Sequence, residues 1–369
     1  MDPAAFRRRL MPWYREHART LPWRGVQDPY KTWVSEIMLQ QTRVAAVIGH
    51  YHEFLRRFPT LLALALALEP DVLAAWSGLG YYRRARMLHK AAQFVVLERH
   101  GRLPTTSAEL RTLPGIGVYT AAAIASISFG ESIAVVDGNV ARVLLRLTGH
   151  PDDATAATTA RIAAQAQALI PPRRLTATGN AAGDHNQAMM ELGATICLPR
   201  APLCLQCPVY ALCLTRGEHL TPARAAQRSQ PIAYLLDLRK RGPATEVLLA
   251  LRPAEVSLMP GMYELPPIAV GSPDSLTREP VLRLRHAITN TNYYVQIHTP
   301  AEPTPEAEGP APSPPKRRPR RRPSAGIPIA ADDLHWVPTA RLTALPLTGL
   351  ARKVLQRLKV MSSAITLAD

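Results

Sequence analysis

The chain has 369 residues, 47% of them hydrophobic, which suits two or three domains with real cores. No apolar run approaches the ~20 residues of a membrane span, and the opening MDPAAFRRRL has no signal-peptide core, so a soluble, non-secreted protein is expected. The net charge is +16, and removing the six-cation run at Lys316, Arg317, Arg318, Arg320, Arg321 and Arg322 still leaves a basic remainder, which predicts a polyanionic partner, most simply nucleic acid.

Residues 1–220 read as helices joined by short turns. Asp28-Pro29 is a helix-start signal, and Lys31 to Phe58 carries apolar residues at helical spacing. Within it, Thr32, Glu36, Gln40 and Arg43 fall on one helical face. Trp33, Ile37, Met38 and Leu39 surround that face with apolar bulk, so Glu36 is expected to be partly buried, with a raised pKa suited to proton donation. Leu61 to Leu68 suits a buried helix, and Pro59, Pro70 and Pro104 punctuate further helices. Leu79-Gly80-Tyr81-Tyr82 reads as a turn between helices.

Leu113-Pro114-Gly115-Ile116-Gly117-Val118-Tyr119-Thr120 is a helix-hairpin-helix pattern. Without a Cβ at Gly115 and Gly117, the backbone there and at Val118 can approach a phosphate at a helix N-terminus. Alanine then favours helix from Ala121 to Ala168. In Val135-Val136-Asp137-Gly138-Asn139-Val140-Ala141-Arg142, Asp137 reads as a helix N-cap with one oxygen and as a group facing a pocket with the other.

All four cysteines, Cys197, Cys204, Cys207 and Cys213, lie in one stretch spaced C-x6-C-x2-C-x5-C. A chain of this length does not need disulfide staples, so a metal centre is the better reading. Zinc and a [4Fe–4S] cluster both accept four thiolates. Residues 221–229 look like a linker. Strand-like runs follow at Ile232–Leu238, Glu246–Leu251 and Tyr293–His298, with a closing helix over Gly349–Val360, predicting a smaller α+β domain over 230–369. Ten of the chain's 35 prolines fall within 300–328, an insertion expected to be disordered. It would be a solvated segment, a contact for DNA phosphates or a nuclear-import signal.

The hairpin, the aspartate some twenty residues after it and the cysteine loop occur in the order that resembles the helix-hairpin-helix DNA glycosylases with an iron–sulfur cluster, and within them the MutY-type adenine DNA glycosylases. The resemblance is dense over residues 10–215 and weaker beyond. It implies a mainly α catalytic region followed by a Nudix-like domain that reads 8-oxoguanine. It implies that Glu36 is the general acid, that Asp137, with Asn139 beside it, stabilises an oxocarbenium ion, and that the four cysteines hold a [4Fe–4S] cluster, which places Arg200 and Arg216 near the DNA backbone. Tyr119 stands where bifunctional relatives carry a Schiff-base lysine, which implies a monofunctional enzyme. Trp23, Arg24 and Gln187 match positions lining an adenine pocket; Gln41, Leu79 and Tyr81 match residues that wedge into the duplex. Leu251-Arg252-Pro253, Gly261 to Pro266 and Trp336-Val337-Pro338 fit the Nudix-like pattern without an acidic hydrolase motif. The lesion-reading Phe-Ser-His segment aligns with Leu284-Arg285-His286, of which only His286 is kept. A monomer acting on double-stranded DNA in a bacterial cytoplasm is expected, with a nucleus as the alternative. The rival functions are a thymine or uracil mismatch glycosylase on the same scaffold and a non-catalytic cluster-bearing DNA-binding module.

Overall fold

The computed structural model describes residues 1–153, 155–176, 179–219, 227–256, 258–268, 279–288, 290–300 and 333–362. The chain divides into two compact units, Met1–Val72 with Tyr81–Ala223, and Leu73–Gly80 with Arg224–Asp369.

The first unit is helical because most of its helices start at a side-chain cap and its apolar positions recur at helical spacing. Its elements are α1 (Pro3–His17), α2 (Pro29–Leu39), α3 (Val44–Arg57), α4 (Leu61–Leu66), α5 (Glu69–Ala75, shared with the second unit), α6 (Arg83–Glu98), α7 (Ser107–Leu110), α8 (Val118–Phe129), α9 (Gly138–Thr148), α10 (Ala156–Leu169) and α11 (Ala181–Thr195), with a short hairpin of β1 (Leu175–Thr176) and β2 (Gly179–Asn180) before α11. Asp2 and Asp28 each cap a helix whose first residue is proline, a position where the missing N–H costs nothing. Thr155 and Asn180 cap α10 and α11 in the same way. One core forms where α1, α9, α10 and α11 bring together Phe6, Leu10, Leu144, Leu169, Met189 and Leu192. The alanine-rich α8 is buried from Thr120 to Ser126 and packs against both α2 and α11, since small side chains let three helix axes approach closely.

Two expectations for this half are corrected. The helical run from Lys31 does not continue to Phe58. It breaks after Leu39, where Gln40 leaves helical geometry and Gln41 adopts φ +54°, so Gln40 and Arg43 no longer share the helical face of Thr32 and Glu36. The Arg84 guanidinium fixes this break by donating to the carbonyls of Ile37 (2.8 Å), Met38 (3.0 Å) and Gln40 (2.5 Å), which α2 leaves without helical partners. The leucine-rich α4 ends at Leu66, short of Leu68, and is only half buried, with Leu62 and Leu66 exposed.

The second unit holds two four-stranded sheets. One has the order β10 (Leu334–Pro338), β5 (Ala244–Leu251), β4 (Leu238–Arg241), with β6 (Tyr263–Glu264) also on β5. The other has the order β7 (Pro267–Ile268), β3 (Arg228–Leu235), β9 (Thr291–His298), β8 (Leu282–Ile288), in which β3 and β9 are parallel. Their inner faces and α12 (Gly349–Arg357) bury Val247, Leu249, Val295, Ile297, Val354 and Leu355. The first predicted strand is displaced: β3 starts at Arg228, inside the expected linker, and Leu238 opens the next strand. The closing helix ends at Arg357, short of Val360. The rest of the expected linker up to 226, and the insertion from 301 to 328, lie outside the described residues. Among the described residues, no helix is long and apolar enough to cross a membrane.

The turn before α8 depends on Gly115, whose φ is +74° and where an added Cβ would lie 2.5 Å from Met87 Cβ. Gly115→Ala is therefore expected to lower stability by about 2 kcal/mol, through left-handed strain and overpacking, as read by chemical denaturation of the full chain. A change within about 0.5 kcal/mol would show that the turn does not require glycine.

Candidate active site

A cavity of about 690 Å³ opens in the first unit, and Glu36, Tyr119, Asp137 and Asn139 all line it. Trp23, Arg24, Gln41 and Gln187 do so as well.

Glu36 is 5% exposed, because α2 is covered on nearly every side. Burial pushes its carboxyl up to about 7; the hydrogen bond from Tyr119 opposes that rise, and the charge of Asp137 adds to it. Tyr119 is the second residue of α8, and its hydroxyl donates to Glu36 Oε2 at 2.9 Å. Burial raises its own pKa well above the usual value for a phenol, so it stays a proton donor.

Asp137 caps α9. Its Oδ1 accepts from the Val140 N–H at 2.7 Å and its Oδ2 from the Asn139 side-chain amide at 3.0 Å. Both oxygens are thus held from the protein side, while the half-buried carboxylate still lines the cavity. Asn139 in turn accepts from Arg142 at 2.8 Å, and Arg142 donates to the carbonyls of Gly193 (2.7 Å) and Cys197 (2.8 Å). A side chain at Gly193 would put its Cβ 2.6 Å from Asn139 Cβ, so this arrangement needs glycine there.

Sequence reasoning missed Glu191 and Arg19. Glu191 is buried on α11 and takes Arg19 Nε at 2.7 Å and Arg24 Nη2 at 2.5 Å. Burial alone would raise its carboxyl, but the two guanidiniums outweigh it and hold the group down at about 2. The available signal was a lone acid in the apolar run Met189-Met190-Glu191-Leu192. Gln187 accepts from the Tyr14 hydroxyl at 3.4 Å, and Trp23 stands edge-on to Tyr51 with centroids 5.4 Å apart.

Apart from Gln41, the remaining candidates lie away from the cavity lining. Gln41 and Tyr81 are both exposed and both left-handed, at φ +54° and +47°, and the Arg84 guanidinium stacks 5.6 Å from the Tyr81 ring centroid. Leu79 differs from the expected exposed wedge: it is 5% exposed. Val118 is exposed at the first turn of α8, which has no side-chain cap. Gly117 has an ordinary extended backbone, and a Cβ there would meet nothing, so open space surrounds it. His286 lies in β8 of the second unit, half-buried, with burial and Lys353 lowering its pKa.

All four cysteines are free and partly buried. Among the described residues, no group of three or more His, Cys, Asp or Glu side chains is drawn together to hold a metal ion. The thiols nevertheless sense one another: burial raises Cys204 and Cys207, and the charges of the other cysteines add to the rise. Arg146 Nη1 donates to Cys197 Sγ at 3.3 Å, and the Cys213 thiol donates to the Arg146 carbonyl at 3.3 Å. Arg146 reaches Cys197, Cys204 and Cys213, and four reduced thiols on one loop are a donor set whose chemistry suits a thiolate-bound cluster.

The raised Glu36 pKa has a thermodynamic consequence. Its folded value of about 7 lies above the ordinary 4.5, so the folded state is penalised once pH rises past 4.5, and the penalty levels off above 7. Glu36→Gln is expected to match the parent's stability near pH 4.5 and to exceed it at pH 8 by about 3 kcal/mol, measured by denaturation at both pH values. An equal difference at the two pH values would refute the burial argument.

Comparison with known proteins places these observations in a family. Residues 34–172 match the family described as HhH-GPD superfamily base excision DNA repair protein. The chain is 47% identical over 225 residues to the human adenine DNA glycosylase, covering 58% of this chain and 40% of that one. It is 39% identical over 243 residues to the adenine DNA glycosylase of Mycobacterium tuberculosis, covering 65% of this chain and 77% of the relative. The structure of a thermostable thymine-DNA glycosylase superposes with a TM-score of 0.52 at 27% identity, covering 58% of this chain and 96% of that one. The matched region spans less than half the length of the mammalian relatives, 40–42%. On the mycobacterial match above all, which takes in most of that protein, the chain belongs to the adenine DNA glycosylase family.

Proposed function

We propose that this protein is a monofunctional DNA glycosylase that hydrolyses the N-glycosidic bond of adenine paired with 8-oxoguanine or guanine in duplex DNA. The observation that carries the reading is Glu36, a buried acid raised to about 7 and facing a cavity that it shares with Asp137. A carboxyl of that pKa is still half protonated at neutral pH and able to give its proton away.

In this mechanism the duplex is bent and an adenosine is flipped into the cavity, at a cost of a few kcal/mol. Glu36 protonates the leaving base at N7. The glycosidic bond breaks with oxocarbenium character, Asp137 stabilises the cation, and water completes hydrolysis, as two carboxylates divide the work in glycoside cleavage. Trp23, Arg24 and Gln187 hold the base. Tyr119 offers no amine, so no Schiff base forms. The uncapped first turn of α8, with Gly117 and Val118 in open surroundings, receives a DNA phosphate on its free N–H groups. Tyr81 and Gln41, exposed and left-handed, enter the base stack; Leu79 joins them only if the duplex draws it out of its buried position.

Cys197, Cys204, Cys207 and Cys213 would hold a [4Fe–4S] cluster. When bound, it supplies a fixed cross-link for the loop that carries Arg200 and Arg216. The second unit is read as the Nudix-like part that recognises 8-oxoguanine, with His286 as its contact. The protein acts as a monomer in the compartment that holds DNA. The likeness to a thymine-DNA glycosylase favours a second reading, thymine in a mismatch as the target.

Strand scission on duplexes with adenine opposite 8-oxoguanine, adenine opposite guanine and thymine opposite guanine separates these readings. Cleavage of the adenine duplexes only after hot alkali is expected, with a rate that falls as pH rises through about 7, the Glu36 value. Glu36→Gln is expected to lose base release by at least about 100-fold while keeping DNA binding. Undiminished release by Glu36→Gln would overturn the mechanism, and release of thymine alone would overturn the substrate.

A further inference from the structure

Tyr119 has one hydroxyl proton and two acceptors within reach. Its oxygen lies 2.9 Å from Glu36 Oε2 and 3.4 Å from Met190 Sδ. The three side chains come from three helices, α8, α2 and α11, and all three line the cavity. A phenol donates to one acceptor at a time. Which one wins depends on the charge of Glu36. An ionised carboxylate makes a charge-assisted bond roughly twice as strong as a neutral one. A protonated carboxyl loses that advantage, and the polarisable thioether, a weak acceptor, then competes.

We propose that Met190 is a positioning residue for the catalytic acid: its sulfur receives the Tyr119 hydroxyl proton while Glu36 carries its own proton, and releases it to Glu36 when that carboxyl ionises. The inference rests on the reading of Glu36 as the acid. In the reaction, the Glu36 proton passes to the leaving base. The Tyr119 proton never leaves its oxygen and only changes the acceptor it faces. The sulfur therefore stabilises the protonated, working form of the acid, while the Tyr119 bond stabilises the spent anion. That Tyr119 opposes the rise of the Glu36 pKa agrees with this division.

Few other charged groups face Glu36. Asp137, the N-cap of α9, adds negative charge. On α11, Glu191 is neutralised by Arg19 and Arg24 from the loop after α1. From α6, Arg84 is engaged by the carbonyls at the end of α2. From α3, Val44 lines the cavity and carries no charge. Met190→Leu leaves all of these in place and changes only the acceptor.

The test has two independent readouts on the full-length protein. In the first, methionine methyl groups are labelled with carbon-13 and followed by NMR without DNA from about pH 5.5 to about 8.5. The Met190 signal, assigned by its loss in Met190→Leu, is expected to titrate with Glu36 and to stop titrating in both Glu36→Gln and Tyr119→Phe. In the second, the alkaline limb of the adenine-release profile is expected to move down by about 0.5 pH unit in Met190→Leu. The same substitution is expected to have no effect on the limb in a Tyr119→Phe background. A Met190 titration that persists in Tyr119→Phe, or a limb unmoved in Met190→Leu, overturns the proposal. If the parent releases no adenine but the Tyr119-dependent titration is present, the substrate reading fails and the role of the sulfur stands.

Discussion

The hydrogen bond from Tyr119 to Glu36 is the constraint on which the site depends. It joins two helices that are both almost wholly buried, across 83 residues of chain. The hydroxyls nearest it along α2 are paired, although the buried Trp33 indole N–H has no partner among the described residues. The Ser35 hydroxyl donates to the Thr32 carbonyl at 2.8 Å, and Ser128 donates to Thr32 Oγ1 at 3.1 Å. Bulky residues along α8 would push the helices apart and break the bond. The run Ala121-Ala122-Ala123 keeps them close, with each side chain at most 2% exposed.

One cavity holds carboxyls in opposite states. Glu36 has apolar walls and one neutral donor, and its pKa rises; Glu191 has two guanidiniums, and its pKa falls. Asp137 is fixed by a helix start and a neighbouring amide. The same functional group therefore serves three purposes, and the difference lies in what touches each one. The ion-paired carboxylate shapes one wall of the cavity, the other two line it, and α11 with its Gly193 contact sets the spacing of Asn139.

The legible parts of the sequence were those that depend on local pattern. Trp33, Ile37 and Met38 around Glu36 foretold its burial, and Asp137 before Gly138-Asn139 foretold its cap. The break after Leu39 was not legible, because Leu39-Gln40-Gln41-Thr42 contains neither glycine nor proline and is stabilised from outside by Arg84, 44 residues after Gln40. Glu191 was hidden for the same reason: its partners lie on the far side of the sequence, 167 and 172 residues away. In the second unit, β8 alternates, Leu282 and Leu284 inward with Arg283 and Arg285 outward, a period-2 signal that was present in the sequence, although β8 is absent from the expected strands. Tyr81 is exposed and Leu79 is buried, a difference that nothing in the motif Leu79-Gly80-Tyr81-Tyr82 foretells.

The pairing of Glu191 with both Arg19 and Arg24 also decides how this site tolerates mutational drift. Two donors on one acceptor degrade by steps: with either arginine lost, the carboxylate keeps a partner, and the site retains its charge balance in weakened form. The acceptor has no such reserve, because its loss leaves two guanidiniums facing each other without a counter-charge. Redundancy is thus built into the basic side of the cluster alone, and substitution should be far more permissive at position 19 than at 191.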